Sequence, residues 1–108
     1  MAEAATYLPD VKKYDPNPDE AAIGGIVKHL GIALRGRDSS LVSASDPVER
    51  ATVRDGFMKK KLALTDSDAD LDAALGAVLD QMAGDRAKSR VTVCYLLAKK
   101  YDKLAEFH

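Results

Sequence analysis

The alternation of apolar and polar positions divides the chain into four helical stretches, a polar N-terminal segment and a short serine-rich link. The clearest stretch is Leu71, Ala74, Leu75, Val78, Leu79 and Met82, which recur at helical spacing without a gap. They predict a helix over Leu71–Ala83, capped by Asp68 or Asp70 and ended by Gly84. A second helix, Arg86–Tyr101, folds back on the first at Gly84-Asp85 and buries Ala87, Val91, Cys94, Ala98 and Tyr101, with Tyr95 and Leu97 flanking. Taken alone, Val91–Leu97 could pass for a buried strand. The helical composition of Arg86–Arg90 and Ala98–Lys103 decides for a helix.

Two earlier helices announce themselves by their start signals. Asn17-Pro18-Asp19-Glu20 offers a cap, a proline suited to the first helical position and a glutamate able to close a capping box. Ile23, Ile26, Val27, Leu30 and Leu34 then form one apolar face, with a stop expected near Arg35-Gly36. Gly24-Gly25 inside this helix costs roughly 1 kcal/mol per glycine relative to alanine, which points to a close contact or a bend. Asp46-Pro47-Val48-Glu49 repeats the start signal and predicts a helix to about Leu62, burying Val48, Ala51, Phe57, Met58 and Leu62. Between them, Arg37–Ser45 is expected to form one helical turn that tucks Leu41 and Val42 under the core.

Residues 1–16 read as a polar N-terminal arm, partly mobile, with Tyr7, Leu8, Val11 and Tyr14 as residues able to pack on the body. Residues 17–108 form a single helical domain. The fold class is therefore all-α: a small bundle or orthogonal array of four to five helices, whose central hairpin is Leu71–Tyr101.

Composition narrows the function classes. The 108 residues are 46% hydrophobic and 31% charged, which fits a globular domain with one modest core. No apolar stretch approaches the ~20 residues needed to span a bilayer, and no targeting segment is visible, so the expectation is a cytoplasmic protein without a membrane role. A net charge of −1 gives no global field for nucleic acid or anionic lipid. The charge is uneven along the chain, however. Residues 63–83 hold five aspartates and no base, between two stretches of net positive charge.

Most candidate chemistry fails on counting. Asp66-x-Asp68-x-Asp70 resembles the start of a calcium loop, but Leu71 and Ala77 stand where glycine and a bidentate glutamate are needed. Zinc needs a Cys/His cluster, and the chain has only Cys94, His29 and His108. Cys94 lies among apolar neighbours that disfavour a thiolate, and His29 borders an apolar helix face. No phosphate-cradling glycine loop is legible. No cofactor and no metal are expected.

Basic residues leave one open possibility. Lys59, Lys60 and Lys61 end one helix, where cations suit the helix dipole, whereas Arg86, Lys88 and Arg90 open the last one, against it. A helix-turn-helix reading of the hairpin fails, since Asp80 and Arg90 occupy positions that require a small and an apolar residue.

Several stretches carry a family resemblance: Val11-Lys12-Lys13-Tyr14, Ile26-Val27-Lys28-His29-Leu30-Gly31, Phe57-Met58-Lys59-Lys60-Lys61-Leu62, and Asp85-Arg86-x-Lys88-Ser89-Arg90-Val91-Thr92 leading to Tyr95-Leu96-Leu97. With them the chain resembles the bacterial proteins grouped as domain of unknown function 2853, from Tyr7 onward. Cys94 departs from the pattern, where a second aromatic is expected before Tyr95. The resemblance implies a small, soluble, mainly helical bacterial protein and carries no activity or site residues with it.

Three functional expectations follow. The first is a non-catalytic interaction protein, with a homodimer or another protein as its partner. The second is nucleic-acid binding through Lys59, Lys60, Lys61, Arg86, Lys88 and Arg90, which requires these groups to converge while the aspartates of residues 66–72 point elsewhere. The third is an enzyme built on paired carboxylates, which requires a concave pocket holding two acids.

Overall fold

A computed structural model describes residues 4–31, 41–42, 46–84 and 88–107. The core forms around the last long helix, α5 (Arg90–Lys100), in which the nine residues from Arg90 to Ala98 are all buried. A helix apolar on every side belongs in the middle of a fold. Tyr95 and Leu97, expected to flank the core, are therefore fully buried.

Around it pack α1 (Ala4–Lys12), α2 (Glu20–Leu30), α3 (Pro47–Thr52) with the π-helix that continues it (Val53–Lys61), α4 (Asp68–Gln81) and a C-terminal 3₁₀ turn, Leu104–Phe107. The fold is all-α, as expected. The α4 stripe is borne out in full, since Leu71, Ala74, Leu75, Val78, Leu79 and Met82 are all buried. Ser67, not an aspartate, caps it, its hydroxyl accepting the Asp70 N–H at 3.2 Å.

Four expectations are corrected. Residues 4–12, read as part of an arm, are helix α1; the packing expected of Tyr7, Leu8, Val11 and Tyr14 is present, with Val11 completely buried. Helix α2 is capped by Asp19, two residues after Asn17, and ends at Leu30, where Gly31 has a φ of 36°. The predicted stop at Arg35-Gly36 lies outside the described residues. Leu41–Val42 is a strand, not a helical turn: it pairs antiparallel with Lys88–Ser89, Leu41 opposite Ser89 and Val42 opposite Lys88. Helix α5 correspondingly starts at Arg90, four residues later than expected, because the chain enters it as this strand.

The fourth correction concerns the register of residues 47–62. Asp46 caps α3 as predicted, accepting the Val48 N–H at 2.9 Å. After Thr52 the backbone loosens to π geometry, and the Leu62 N–H reaches the Phe57 carbonyl, five residues back, at 2.9 Å. The buried positions become Val53, Phe57, Met58 and Leu62, while Val48 is left 72% exposed. Ala63, at φ 54°, closes this helix in the left-handed conformation, and the Leu64 N–H bonds back to the Met58 carbonyl.

Candidate functional site

The six basic residues singled out in the sequence meet different fates. Lys59 lies between Asp55, at 3.2 Å, and Asp68, so one of the aspartates of residues 66–72 is its own partner. The hydrogen bonds that its ammonium donates to Asp68 and Asp55 raise its pKa above the ordinary lysine value. Lys60 is exposed, and the Lys61 ammonium stands 5.2 Å over the Phe107 ring. Lys88 is half-buried in the second strand, and Arg86 lies outside the described residues. Arg90 is buried, and its Nη2 donates to Glu49 Oε2 at 2.8 Å. Arg90 therefore meets the beginning of the α3–π rod, while Lys59, Lys60 and Lys61 occupy its end. The cation that opens α5 against its dipole is held by a carboxylate from α3.

Other charges also join elements. Arg54 forks onto both carboxylate oxygens of Asp72, at 3.1 and 3.2 Å, and also binds Asp55. Thr92 donates its hydroxyl to Asp10, tying α5 to α1. Cys94 is a free, buried thiol whose pKa burial pushes up to about 12, so it is a packing residue at neutral pH. His29 tilts against Phe57, 6.0 Å between centroids; burial and the nearby Lys61 ammonium lower its pKa. Among the described residues, no three or more His, Cys, Asp or Glu side chains gather as metal ligands.

Sequence reasoning missed the most developed polar cluster, which centres on Asp15. This carboxylate is 5% exposed, just beyond α1. Its Oδ2 accepts the Tyr95 hydroxyl at 2.6 Å and faces Lys99 Nζ at 3.3 Å, and its Oδ1 accepts the Asn17 N–H at 3.1 Å. The Tyr95 oxygen in turn accepts the Asp19 N–H at 2.9 Å, at the cap of α2. Burial opposes ionisation of Asp15, but the hydrogen bonds from Tyr95, Asn17 and Lys99 outweigh it and hold the carboxyl below its usual value. Burial and the bond to Asp15 push the Tyr95 phenol up to about 12, so it stays a donor. The cluster pins three helices together. Lys99 could have been found from sequence only as a cation at a helix end, which is how it reads.

Beside this cluster lies a cleft of about 300 Å³, lined by Tyr14, by Ala77, Val78 and Gln81 of α4, and by Leu96, Lys99 and Lys100 of α5. Val78 and Leu96 are its buried apolar residues, and Lys99, which lines it, is the lysine that faces Asp15.

No helix among the described residues is long and apolar enough to cross a membrane. Comparison with curated proteins finds none that matches. A family model does match, over residues 6–105, which takes in most of α1, the Asp15–Tyr95 cluster, the α3–π rod and the cleft. The chain belongs to the family described as protein of unknown function (DUF2853).

Proposed function

We propose that the protein is a non-catalytic interaction protein whose partner is a second copy of itself, docking across α3 and the π-helix. One observation carries this reading: α3 is a capped helix with no buried residue, and it leaves Val48 72% exposed. Protein helices owe most of their stability to burying an apolar face. This one is held by polar contacts instead: the Asp46 cap, the Glu49–Arg90 pair, and an Arg50 Nη2 bond to the Asp72 carbonyl at 3.3 Å. These contacts fix the inner side and turn Val48 and Thr52 outward.

Thr52 donates its hydroxyl to the Val48 carbonyl at 2.9 Å, so its polar group is spent within the helix. Exposed Gly56 continues the four-residue spacing. The charge pattern supports a self-complementary pair: the rod begins at Asp46 and ends with exposed Lys60. Two copies crossing antiparallel on a two-fold axis set each acidic start against a basic end and oppose their dipoles. The contact is small, so the pair is weak and transient.

Sedimentation equilibrium over a wide concentration range tests this reading. The expected result is a mass that rises with concentration, and a Val48→Asp variant that stays monomeric with an unchanged melting temperature. A wild-type monomer at every concentration refutes the reading, as does a variant that still dimerises. A cytoplasmic location belongs to the same proposal; the free buried thiol of Cys94 supports it, since such a thiol suits a reducing compartment.

A second reading, nucleic-acid binding, is left to Lys60 and Lys61, because Lys59 is held by Asp55 and Asp68 and Arg90 by Glu49 at the other end of the rod. Its expected mark is retention on DNA that falls steeply with salt and is lost in Lys60→Glu. Retention indifferent to salt counts against it.

A further inference from the structure

Helix α3 differs from the rest of the fold in what holds it. It has six residues, Pro47–Thr52, and none of them is buried. Among the described residues, the one element that packs extensively on it is the π-helix that continues it. Isolated helices shorter than roughly 12–15 residues are marginal in water, so α3 forms only where something outside its own backbone holds it.

What holds it is polar. Asp46 accepts the Val48 N–H at 2.9 Å, and Arg50 Nη2 reaches the Asp72 carbonyl of α4 at 3.3 Å, long for a hydrogen bond. The firmest tie is Glu49, whose Oε2 accepts from Arg90 Nη2 at 2.8 Å, with side chains 29% and 9% exposed. The grip of the core begins one residue after α3, at buried Val53, where the winding changes from α to π. Thr52–Val53 is therefore the junction between a lightly held segment and a firmly held one, which is where a hinge belongs.

We propose that α3 is a flap ordered by its partner: in the single chain it opens and closes about Thr52–Val53 while the core stays folded, and a docked second copy holds it closed, an assignment that rests on the self-association proposed for α3. Val48 and Thr52 form one docking face only while α3 is wound as a helix, so the affinity scales with the closed fraction of each copy. Glu49 is a positioning residue. It faces inward to Arg90 and sets the closed fraction without touching the second copy.

Amide hydrogen exchange on the full chain tests this, read by fast-exchange NMR at Arg50, Ala51, Thr52 and Val53 against Val93–Leu97 of α5. In dilute protein the α3 amides are expected to be protected less than about tenfold, and those of α5 more than about a thousandfold. On concentrating the sample, α3 protection is expected to rise with the associated fraction measured by sedimentation, and α5 protection to change far less. Glu49→Gln is expected to lower α3 protection and weaken association about tenfold. Ala51→Gly, which lowers helix propensity without removing a charge, is expected to weaken association about threefold with α5 exchange unchanged. Dilute α3 amides as slow as those of α5 overturn the proposal and leave the self-association standing. So do a mass that rises while α3 protection stays flat, and two variants that associate as tightly as wild type. A mass that never rises removes the α3 contact itself, and the partner-ordered flap with it.

Discussion

Gly25 is the position where a single methyl group has the most legible consequence. It sits inside α2, where alanine ordinarily stabilises a helix by about 1 kcal/mol relative to glycine. Here a Cβ would lie 1.9 Å from the Phe107 carbonyl oxygen and 2.7 Å from the Phe107 carbonyl carbon and Cβ. Two of these are backbone atoms, so no side-chain rotation relieves the overlap. The C-terminal turn, Leu104–Phe107, has to lift away from α2. Phe107 is 6% exposed and stacked on Phe57 at 5.8 Å, so lifting it forfeits about 2.5 kcal/mol of burial, with about 0.5 kcal/mol more from half-buried Leu104. Set against the helix gain of about 1 kcal/mol, Gly25→Ala is expected to cost about 2 kcal/mol, which lowers the melting temperature by roughly 8 °C. Urea and thermal unfolding measure it. The decisive comparison is a second background, a chain ending at Lys103, in which the obstructing turn is gone. There the same substitution is expected to reverse sign and stabilise by about 1 kcal/mol. If Gly25→Ala stabilises the full-length chain, or costs the same in both backgrounds, the turn does not dock on Gly25 and the reasoning fails.

The remaining expectations concern the polar core and the helix ends. Tyr95→Phe removes both the donor to Asp15 and the acceptor for the Asp19 N–H, and is expected to cost about 2 kcal/mol by urea unfolding. Asp15 has a lowered folded pKa, so its contribution to stability is present above the ordinary aspartate range and drains as pH falls through the lowered value; Asp15→Asn is expected to flatten that acid limb of a stability-against-pH curve, and an unchanged limb contradicts it. Cys94, buried with its pKa pushed up to about 12, is expected to react with a thiol reagent at pH 8 only as fast as the protein unfolds. Ala63→Gly relieves a left-handed φ of 54° at an exposed site and is expected to stabilise by about 0.5–1 kcal/mol, read as a higher urea midpoint.

What the sequence discloses about this fold depends on whether a contact leaves a periodic trace. The α4 stripe does, because its apolar residues, at intervals of three and four, form one face that is buried against α5 and the π-helix. Gly25 also left a trace: a glycine pair in a helix announced a close approach, though not that the approaching backbone comes from the far end of the chain. The α3–π rod misleads for a definite reason. Its buried residues Val53, Phe57, Met58 and Leu62 follow the wider turn of a π-helix, whereas Val48 fits only a uniform 3.6-residue period. The change in winding therefore turns one apolar residue outward without altering composition.

The polar contacts that join elements leave no periodic trace at all. Asp15 and Tyr95 are eighty residues apart, Asp10 and Thr92 eighty-two, and Glu49 and Arg90 forty-one. Each member reads locally as an ordinary cap, loop or helix-end residue, and only the packing of α1 and the α3–π rod on α5 brings the partners within hydrogen-bond reach. The same holds for the cleft. Lys99 and Lys100 satisfy a helix dipole in sequence, and they become a rim only because Tyr14, Val78 and Gln81 arrive opposite them. Arg90 shows the converse. Its position at the start of a helix breaks the dipole rule, which made it, with Arg86 and Lys88, a suggestive cation, and a half-buried carboxylate contact absorbs that violation. A charge that breaks a local rule is thus a sign of a partner somewhere. For Arg90 the partner is Glu49, and Lys99, which keeps the local rule, also finds its partner inside the chain, in Asp15.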